Sequence, residues 1–419
     1  MYGILKFFIG FFLNQFFAEI RVGGAKKIEE GPLLVVVNHP NLAMDSLLVA
    51  KSFKRDLWFL AKSTLFTNKF LSKFFESCHM IPIARRQDNS EMKIDNREIF
   101  DKVVDILSQG KAVAIFPEGV SSGERQLQPL KTGAARIAFQ SEEVRNFTLS
   151  LKIQAVGLTY SKISTFKSRA TLTFGEPIAV SDFQKIYESD AQAAVKLLTE
   201  RIALELKNLT VQIEKQEHGD LLEKITQIYK SRDSLLDDRQ VMTEIADNMR
   251  QLNESDWEKA KDLIKRIDLY NHLASLFSLD GLFVTDKSIN KYITFLSLPL
   301  FFAAYLLNII PYRLVGYFAG QDKETSVHAA SSKFGYGILI FSLCYISLSI
   351  LAAIIFKSFW VFFLALILCL SSGYLLSKYM DHVKILLITS LWPSRKKPFD
   401  LLIMIRDELI NDLNLFRKK

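Results

Sequence analysis

The sequence predicts a layered α/β domain joined to a helical arm and to C-terminal transmembrane helices, and three observations predict it. Between residues 23 and 189, short apolar runs rich in β-branched residues alternate with helical patterns. Residues 190–280 contain no proline and set alternating charges against apolar residues at helical spacing. Beyond residue 281 come three uncharged apolar runs, 292–312, 334–356 and 358–377, each of which reaches about 30 Å as a helix and so matches the hydrocarbon core of a bilayer.

Residues 1–22 read as an apolar interfacial helix. The first twenty are rich in Phe and carry only Lys6 and Glu19 as charges. They lack a small-x-small cleavage site, and Asn14 and Gln15 interrupt their core, which argues against a signal peptide. Residues 23–189 follow as the α/β domain. Strands are predicted at 33–37, 112–116, 153–159 and 171–174, and helices at 95–107 and 132–140; a sheet with helices on its faces is the architecture that buries such patterns. Residues 190–280 are an acidic helical segment whose charge excess is a solvated face. In 281–334, Pro299 and Pro311 break the apolar run, which reads as re-entrant or spanning. Residues 335–377 form a transmembrane helical hairpin turning at Lys357, and 378–419 a basic tail. Two spans place the basic N-terminal domain and the basic tail together on the cytoplasmic face.

Composition narrows the class. The chain has 419 residues, 49% of them apolar, with 53 basic and 45 acidic residues and a net charge of +8. Its three cysteines, Cys78, Cys344 and Cys369, show no C-x-x-C spacing, so neither a disulfide scaffold nor a cysteine-rich zinc module is indicated. The charge is divided: 190–280 holds 18 acidic against 13 basic residues, while the flanking segments are basic. A nucleic-acid binder gathers its excess on one patch with stacking aromatics, so no nucleic-acid partner is expected. Attraction to anionic membrane lipids or to a phosphorylated substrate accounts for the pattern.

Three groups of residues could carry chemistry. Directly after the strand at 33–37 come Asn38, His39, Pro40, Asn41 and, at the end of the turn, Asp45. A histidine at a strand end can serve as a general base when a carboxylate holds its other ring nitrogen. Six residues along a continuous helix turn a side chain through about 240°, so His39 and Asp45 meet only if Pro40 and Asn41 form a loop. No serine or cysteine nucleophile lies in the turn, so the activated group is a substrate hydroxyl. The second group, after the strand at 112–116, contains Pro117, Glu118, Gly119 and Ser121, followed by Lys131 just before a helix. A carboxylate between Pro and Gly suits polyol hydroxyls, and a lysine at a helix N-terminus suits phosphate. The third is Arg85 beside Arg86, a pair able to clamp a phosphate. Cys78 and His79 nearby lack further ligands, and no metal site is expected.

Taken together and in this order, these groups resemble the glycerolipid acyltransferase family, which includes glycerol-3-phosphate, dihydroxyacetone-phosphate and lysophosphatidic acid acyltransferases. The resemblance runs from about residue 22 to 178: NHPNLAMD is similar to the family's first motif, IPIAR to its second, FPEGVS with LKTGAARIA to its third, and AVGLTY through FGEPI to its closing strands. Five residues rather than the commoner four separate His39 from Asp45. That longer turn resembles the glycerol-3-phosphate and dihydroxyacetone-phosphate subgroup.

The resemblance implies an acyltransferase-type α/β domain and a membrane-bound O-acyltransferase of phospholipid biosynthesis. In it His39 acts as base and Asp45 steadies it, Glu118 and Gly119 position the glycerol moiety, Arg85 and Lys131 hold the phosphate, and Asn38 and Ser121 are further substrate-binding residues. The partners implied are an acyl thioester donor (acyl-coenzyme A or acyl carrier protein), a phosphorylated glycerol or lysolipid acceptor, and membrane lipids. No metal or redox cofactor is called for. The competing readings are a lysophosphatidic acid acyltransferase, a non-catalytic lipid-binding membrane scaffold, and a hydrolase with a metal at His39, Asp45 and Glu118. The sequence carries no signal of oligomeric state.

Overall fold

A computed structural model describes residues 2–66, 68–83, 96–213, 216–232, 237–252, 254–276, 295–320, 328–387 and 393–413. Arg85 and Arg86 lie outside the described residues, as does the basic end Arg417, Lys418 and Lys419. The chain forms two compact units, residues 1–163 with 167–214, and residues 164–166 with 215–419.

The first unit is built on one eight-stranded sheet. Its strands are β1 (Glu19–Gly24), β2 (Leu33–Val37), β3 (Leu57–Lys62), β4 (Met80–Ile83), β5 (Ala112–Ile115), β6 (Lys152–Tyr160), β7 (Arg169–Phe174) and β8 (Ile178–Ala179). They lie in the order β1-β7-β6-β2-β5-β3-β4, with β8 beside β6. β2 is parallel to both neighbours, β5 and β6, while β7 and β8 run antiparallel to β6. All five residues of β2 are fully buried, as expected of a parallel strand covered on both faces.

The helices of this unit are α1 (Tyr2–Phe16), α2 (Leu42–Ser52), α3 (Lys69–Ser77), α4 (Asn96–Ser108), α5 (Gly133–Glu143), α6 (Gln184–Ser189) and α7 (Ala191–Leu209). Leu34 and Val36 of β2 join one core with Val103 and Leu107 of α4, Ile137 of α5 and Leu198 and Ile202 of α7. Leu33, Val35 and Val37, which alternate with them, are buried as fully. Because successive strand residues point to opposite faces, a second layer covers them; α1 and α2 bury Leu13, Phe16, Met44, Leu48 and Val49.

Two predicted boundaries move. Residues 17–22 do not continue the N-terminal helix: α1 ends at Phe16, and Glu19–Gly24 pairs in parallel with β7. The apolar stretch therefore anchors a strand as well as exposing Ile4, Phe7 and Phe8. The helical segment predicted to begin at 190 also divides. Asp190 caps α7, accepting from the N–H groups of Gln192 and Ala193 at 2.9 and 3.0 Å. The stripe Ala194, Leu198, Ile202, Leu206 then buries α7 in the core of the α/β unit.

The second unit contains two groups of helices. One comprises α8 (Gln216–Arg232), α9 (Asp238–Arg250), α10 (Glu254–Leu276) and, from the far end of the chain, α14 (Pro393–Asp412). Leu222 and Ile225 of α8, Ile245 of α9, Ile267 of α10 and Leu409 of α14 are fully buried. The Tyr229 hydroxyl donates to the Leu413 carbonyl at 3.0 Å, and Arg266 pairs with Asp412 at 2.6 Å. The predicted basic tail is thus largely a packed helix.

The other group is α11 (Leu298–Ala319), α12 (Ala329–Ile355) and α13 (Phe359–Leu386). These are three helices long and apolar enough to cross a membrane. Pro299 sits in the first turn of α11, where its missing N–H is harmless, and the helix continues through Pro311. Lys357 turns the chain between α12 and α13 in the left-handed backbone region. Asn308 of α11 donates to the Ser372 hydroxyl of α13 at 2.8 Å and accepts from the Tyr345 hydroxyl of α12, all three side chains being buried. Polar bridges of this kind hold helices together where lipid offers no competing partner.

Candidate active site

The carboxyl ends of the parallel strands β2 and β5 lie side by side, and open α/β sheets bind ligands at such ends. The loop after β2 carries Asn38 and His39; the loop after β5 carries Phe116, Pro117, Glu118 and Gly119. β6 flanks β2 on its other side and ends in Leu158, Thr159 and Tyr160.

His39 and Asp45 meet. The chain leaves β2, turns through Pro40 and Asn41, and enters α2 at Leu42, whose φ of 43° is rare for a branched side chain. The turn brings Asp45, in the first turn of α2, back to His39, with His39 Nδ1 2.8 Å from Asp45 Oδ2. A carboxylate only accepts, so the imidazole proton sits on Nδ1 and Nε2 keeps the free lone pair that a base needs. The Asn41 N–H donates to the same carboxylate oxygen at 2.7 Å. His39 is 8% exposed and Asp45 0%, and the Phe116 ring stacks on the imidazole at 4.1 Å.

Three residues predicted to bind substrate, Asn38, Glu118 and Ser121, also bond to the protein itself. The Asn38 amide donates to the Leu158 carbonyl at 3.0 Å and accepts from the Leu158 N–H at 2.7 Å, continuing the β2–β6 ladder where the strands part. Glu118 is 4% exposed. One of its oxygens accepts the His39 backbone N–H at 2.7 Å and the other the Gln128 N–H at 3.0 Å. The Ser121 hydroxyl accepts the Leu42 N–H at 3.1 Å and so caps α2 from a distant loop. These contacts stitch the two loops together behind the histidine.

Gly119 and Lys131 are different. Gly119 has a φ of +70°, and an added Cβ would lie 2.6 Å from the Lys131 ammonium nitrogen. The lysine therefore lies across the glycine, and no carboxylate pairs with it among the described residues. Lys131 thus places a cation on the loop that adjoins the histidine loop. Arg85, the second predicted phosphate ligand, lies outside the described residues. A shallow cleft lies beside Asn38 and Glu118 and is lined also by Glu124, Gln126, Thr159 and Gln212. No cluster of metal-ligating side chains occurs among the described residues.

Sequence reasoning missed Tyr160, whose hydroxyl donates to Asp45 Oδ1 at 2.6 Å. The available signal was a tyrosine at the end of a mainly apolar strand, because a buried phenol needs a partner for its O–H.

Burial, partly offset by the N–H groups of Gln128 and His39, raises the Glu118 carboxyl above its ordinary range. A folded-state value above the unfolded one means that the unfolded chain gives up its proton first. The residue's contribution to stability is therefore full below the ordinary glutamate range and is lost as pH rises through the elevated value. Thermal unfolding of the detergent-solubilised protein from acid to neutral pH is expected to show this loss, and Glu118→Gln to flatten it. Parallel curves for the two proteins would remove Glu118 as its source.

Comparison with known proteins bears on this geometry. A family model described as Acyltransferase matches residues 19–158, from the start of β1 to two residues before the end of β6. Glycerol-3-phosphate O-acyltransferase 2 of Saccharomyces cerevisiae is 35% identical over 119 residues, covering 28% of this chain and 16% of that protein. Glycerol-3-phosphate O-acyltransferase 1 of the same yeast is 27% identical over 205 residues, covering 47% of this chain and 27% of its own length. The matched regions thus span only a small part of the yeast relatives. The 1-acyl-sn-glycerol-3-phosphate acyltransferase of Bacillus subtilis is 30% identical over 152 residues, which is 36% of this chain and 68% of that protein. With a relative of that identity matched over two thirds of its length, and a family model that encloses both site loops, the chain belongs to the glycerolipid acyltransferase family.

Proposed function

We propose that this protein transfers a fatty acyl group from an acyl thioester to a hydroxyl of glycerol 3-phosphate or dihydroxyacetone phosphate at a membrane. The observation that carries the reading is the buried His39–Asp45 pair, with Nε2 unencumbered and a cation, Lys131, on the adjoining loop. His39 Nε2 takes the hydroxyl proton, the oxygen attacks the thioester carbonyl, and the C–S bond breaks as the imidazolium returns its proton to the departing sulfur. Asp45 holds the ring and stabilises the imidazolium. Lys131, with Arg85, takes the acceptor phosphate. Asn38, Glu118 and Ser121 hold the loops that present these groups, and Gly119 makes room for Lys131.

The five-residue turn and the similarity to the two yeast glycerol-3-phosphate acyltransferases favour the small acceptor. A second reading, acylation of lysophosphatidic acid, is favoured by the similarity to the Bacillus protein. Either acceptor fits a basic catalytic domain facing the cytoplasm, with the acyl donor and the product at head-group depth. Acyl transfer from radiolabelled acyl-coenzyme A, or from acyl carrier protein, to glycerol 3-phosphate, dihydroxyacetone phosphate and lysophosphatidic acid distinguishes the readings. Turnover of the lysolipid alone would select the second, and silence with every pair would leave a lipid-binding scaffold.

Lys131→Ala is expected to raise the KM for the phosphorylated acceptor by about 10- to 100-fold with a smaller change in kcat, because a lost ground-state contact weakens binding. Steady-state kinetics with each substrate varied in turn tests this. An effect confined to the acyl donor would take the phosphate away from Lys131.

A further inference from the structure

Asp45 is fully buried and each of its oxygens is occupied. Oδ2 receives His39 Nδ1 and the Asn41 N–H, and Oδ1 receives the Tyr160 hydroxyl at 2.6 Å. Tyr160 is itself 1% exposed. Its backbone is fixed in β6, paired with Ala170 of β7, and its carbonyl accepts from the Arg125 guanidinium at 2.7 Å. Its ring packs beside Phe17, which follows α1. The donor that reaches Asp45 thus comes from the rigid sheet, whereas His39 and Asn41 belong to the same short turn as the carboxylate they contact.

We propose that Tyr160 is a positioning residue for the His39–Asp45 pair: its hydroxyl holds Asp45 in the rotamer that faces His39 and shares the charge of the carboxylate. This rests on the acyl-transfer reading only for its effect on turnover; the coupling of the three side chains stands on geometry. Among the described residues no other donor reaches Oδ1, so without the phenol the carboxylate is held through Oδ2 alone, by two members of its own turn. Burial, with Asp45 adding to it, pushes the Tyr160 phenol well above its ordinary value, so the group remains a donor throughout the working pH range. Among the described residues, the charged and titratable groups next to the pair are Glu118 from the β5 loop and Tyr160 from β6, with Lys131 lying across the neighbouring Gly119. Of these, Tyr160 alone bonds to the carboxylate.

The test reads His39 directly. The full-length protein, labelled with [13Cε1]histidine in detergent, is titrated by NMR, and His39 is assigned by its absence in His39→Gln. Tyr160→Phe keeps the ring and its packing but returns charge to Asp45, which favours the imidazolium; the His39 midpoint is expected to rise by about 0.5–1 unit. Incorporation of 3-fluorotyrosine at position 160 keeps the native shape and strengthens the donor, so its midpoint is expected to fall. In acyl transfer, Tyr160→Phe is expected to lower kcat by about tenfold with KM nearly unchanged, and to move the acid limb of the pH–rate profile in the same direction as the NMR midpoint. Opposite shifts in the two variants without any acyl transfer in the unmodified protein would keep the coupling and reject the catalytic reading. A His39 midpoint indifferent to both changes would overturn the proposal, whatever the activity.

Discussion

Replacement of His39 by alanine is expected to lower acyl transfer by about 10³-fold while leaving the fold intact. The chemistry requires one group to remove a hydroxyl proton that water does not take at neutral pH, and Nε2 of His39 is the free lone pair on this loop. The fold should survive because the ring contributes little to the core: it is stacked on one face by Phe116, and the scaffold contact at this position is made by the backbone N–H, which donates to Glu118 and persists in alanine. Circular dichroism and a monodisperse detergent peak verify the fold, and the residual rate with saturating acceptor gives the effect. A variant retaining more than about a tenth of the activity would exclude His39 as the base, since a positioned general base contributes at least about 10²-fold.

The largest stability effect is expected far from this chemistry, at Gly157. This residue lies in β6 opposite Thr173, where the end of α7 crosses the sheet. An added Cβ would lie 2.4 Å from the Leu209 carbonyl oxygen and 2.6 Å from the Leu209 Cβ, both atoms of a fixed backbone or at its root. No side-chain rotation relieves that contact, so α7 must lift from β6 and uncover Leu206 and Leu209. Gly157→Ala is expected to cost about 3 kcal/mol, at the upper end for overpacking. The denaturant midpoint of the purified protein measures it. A loss below about 1 kcal/mol would mean that α7 is packed less tightly than the close approach indicates.

What the sequence revealed of the fold depended on how local the signal was. β2 could be read from LLVVV, since a run of five β-branched and branched apolar residues between turn signals suits a strand buried on both faces. The pairing of His39 with Asp45 was legible as a condition, a loop through Pro40 and Asn41, and the structure meets it with α2 beginning at Leu42. The scaffold roles of Asn38, Glu118 and Ser121 were not legible. Their partners are Leu158, Gln128 and His39, and Leu42, mostly distant in the chain, and polar side chains at strand ends look the same whether they face a substrate or a backbone amide. The place of α7 was hidden for a related reason. Its charges resemble those of the acidic helices that follow, and only its stripe of Ala194, Leu198, Ile202 and Leu206 distinguishes a helix laid on a sheet.

The docking of α14 on α10 and α8 has a topological consequence. These helices flank the three apolar ones in the chain, so the polypeptide leaves a polar four-helix cluster, makes an excursion through α11, α12 and α13, and returns to the same cluster. An excursion that begins and ends on one side of a bilayer crosses it an even number of times. Three complete crossings would strand α14 opposite α10 and pull apart the Arg266–Asp412 pair and the Tyr229–Leu413 hydrogen bond. The cluster therefore acts as a clasp: while it stays closed, the number of complete crossings among the three apolar helices is even, and contacts such as those of Asn308 with Ser372 and Tyr345 tie the three to one another.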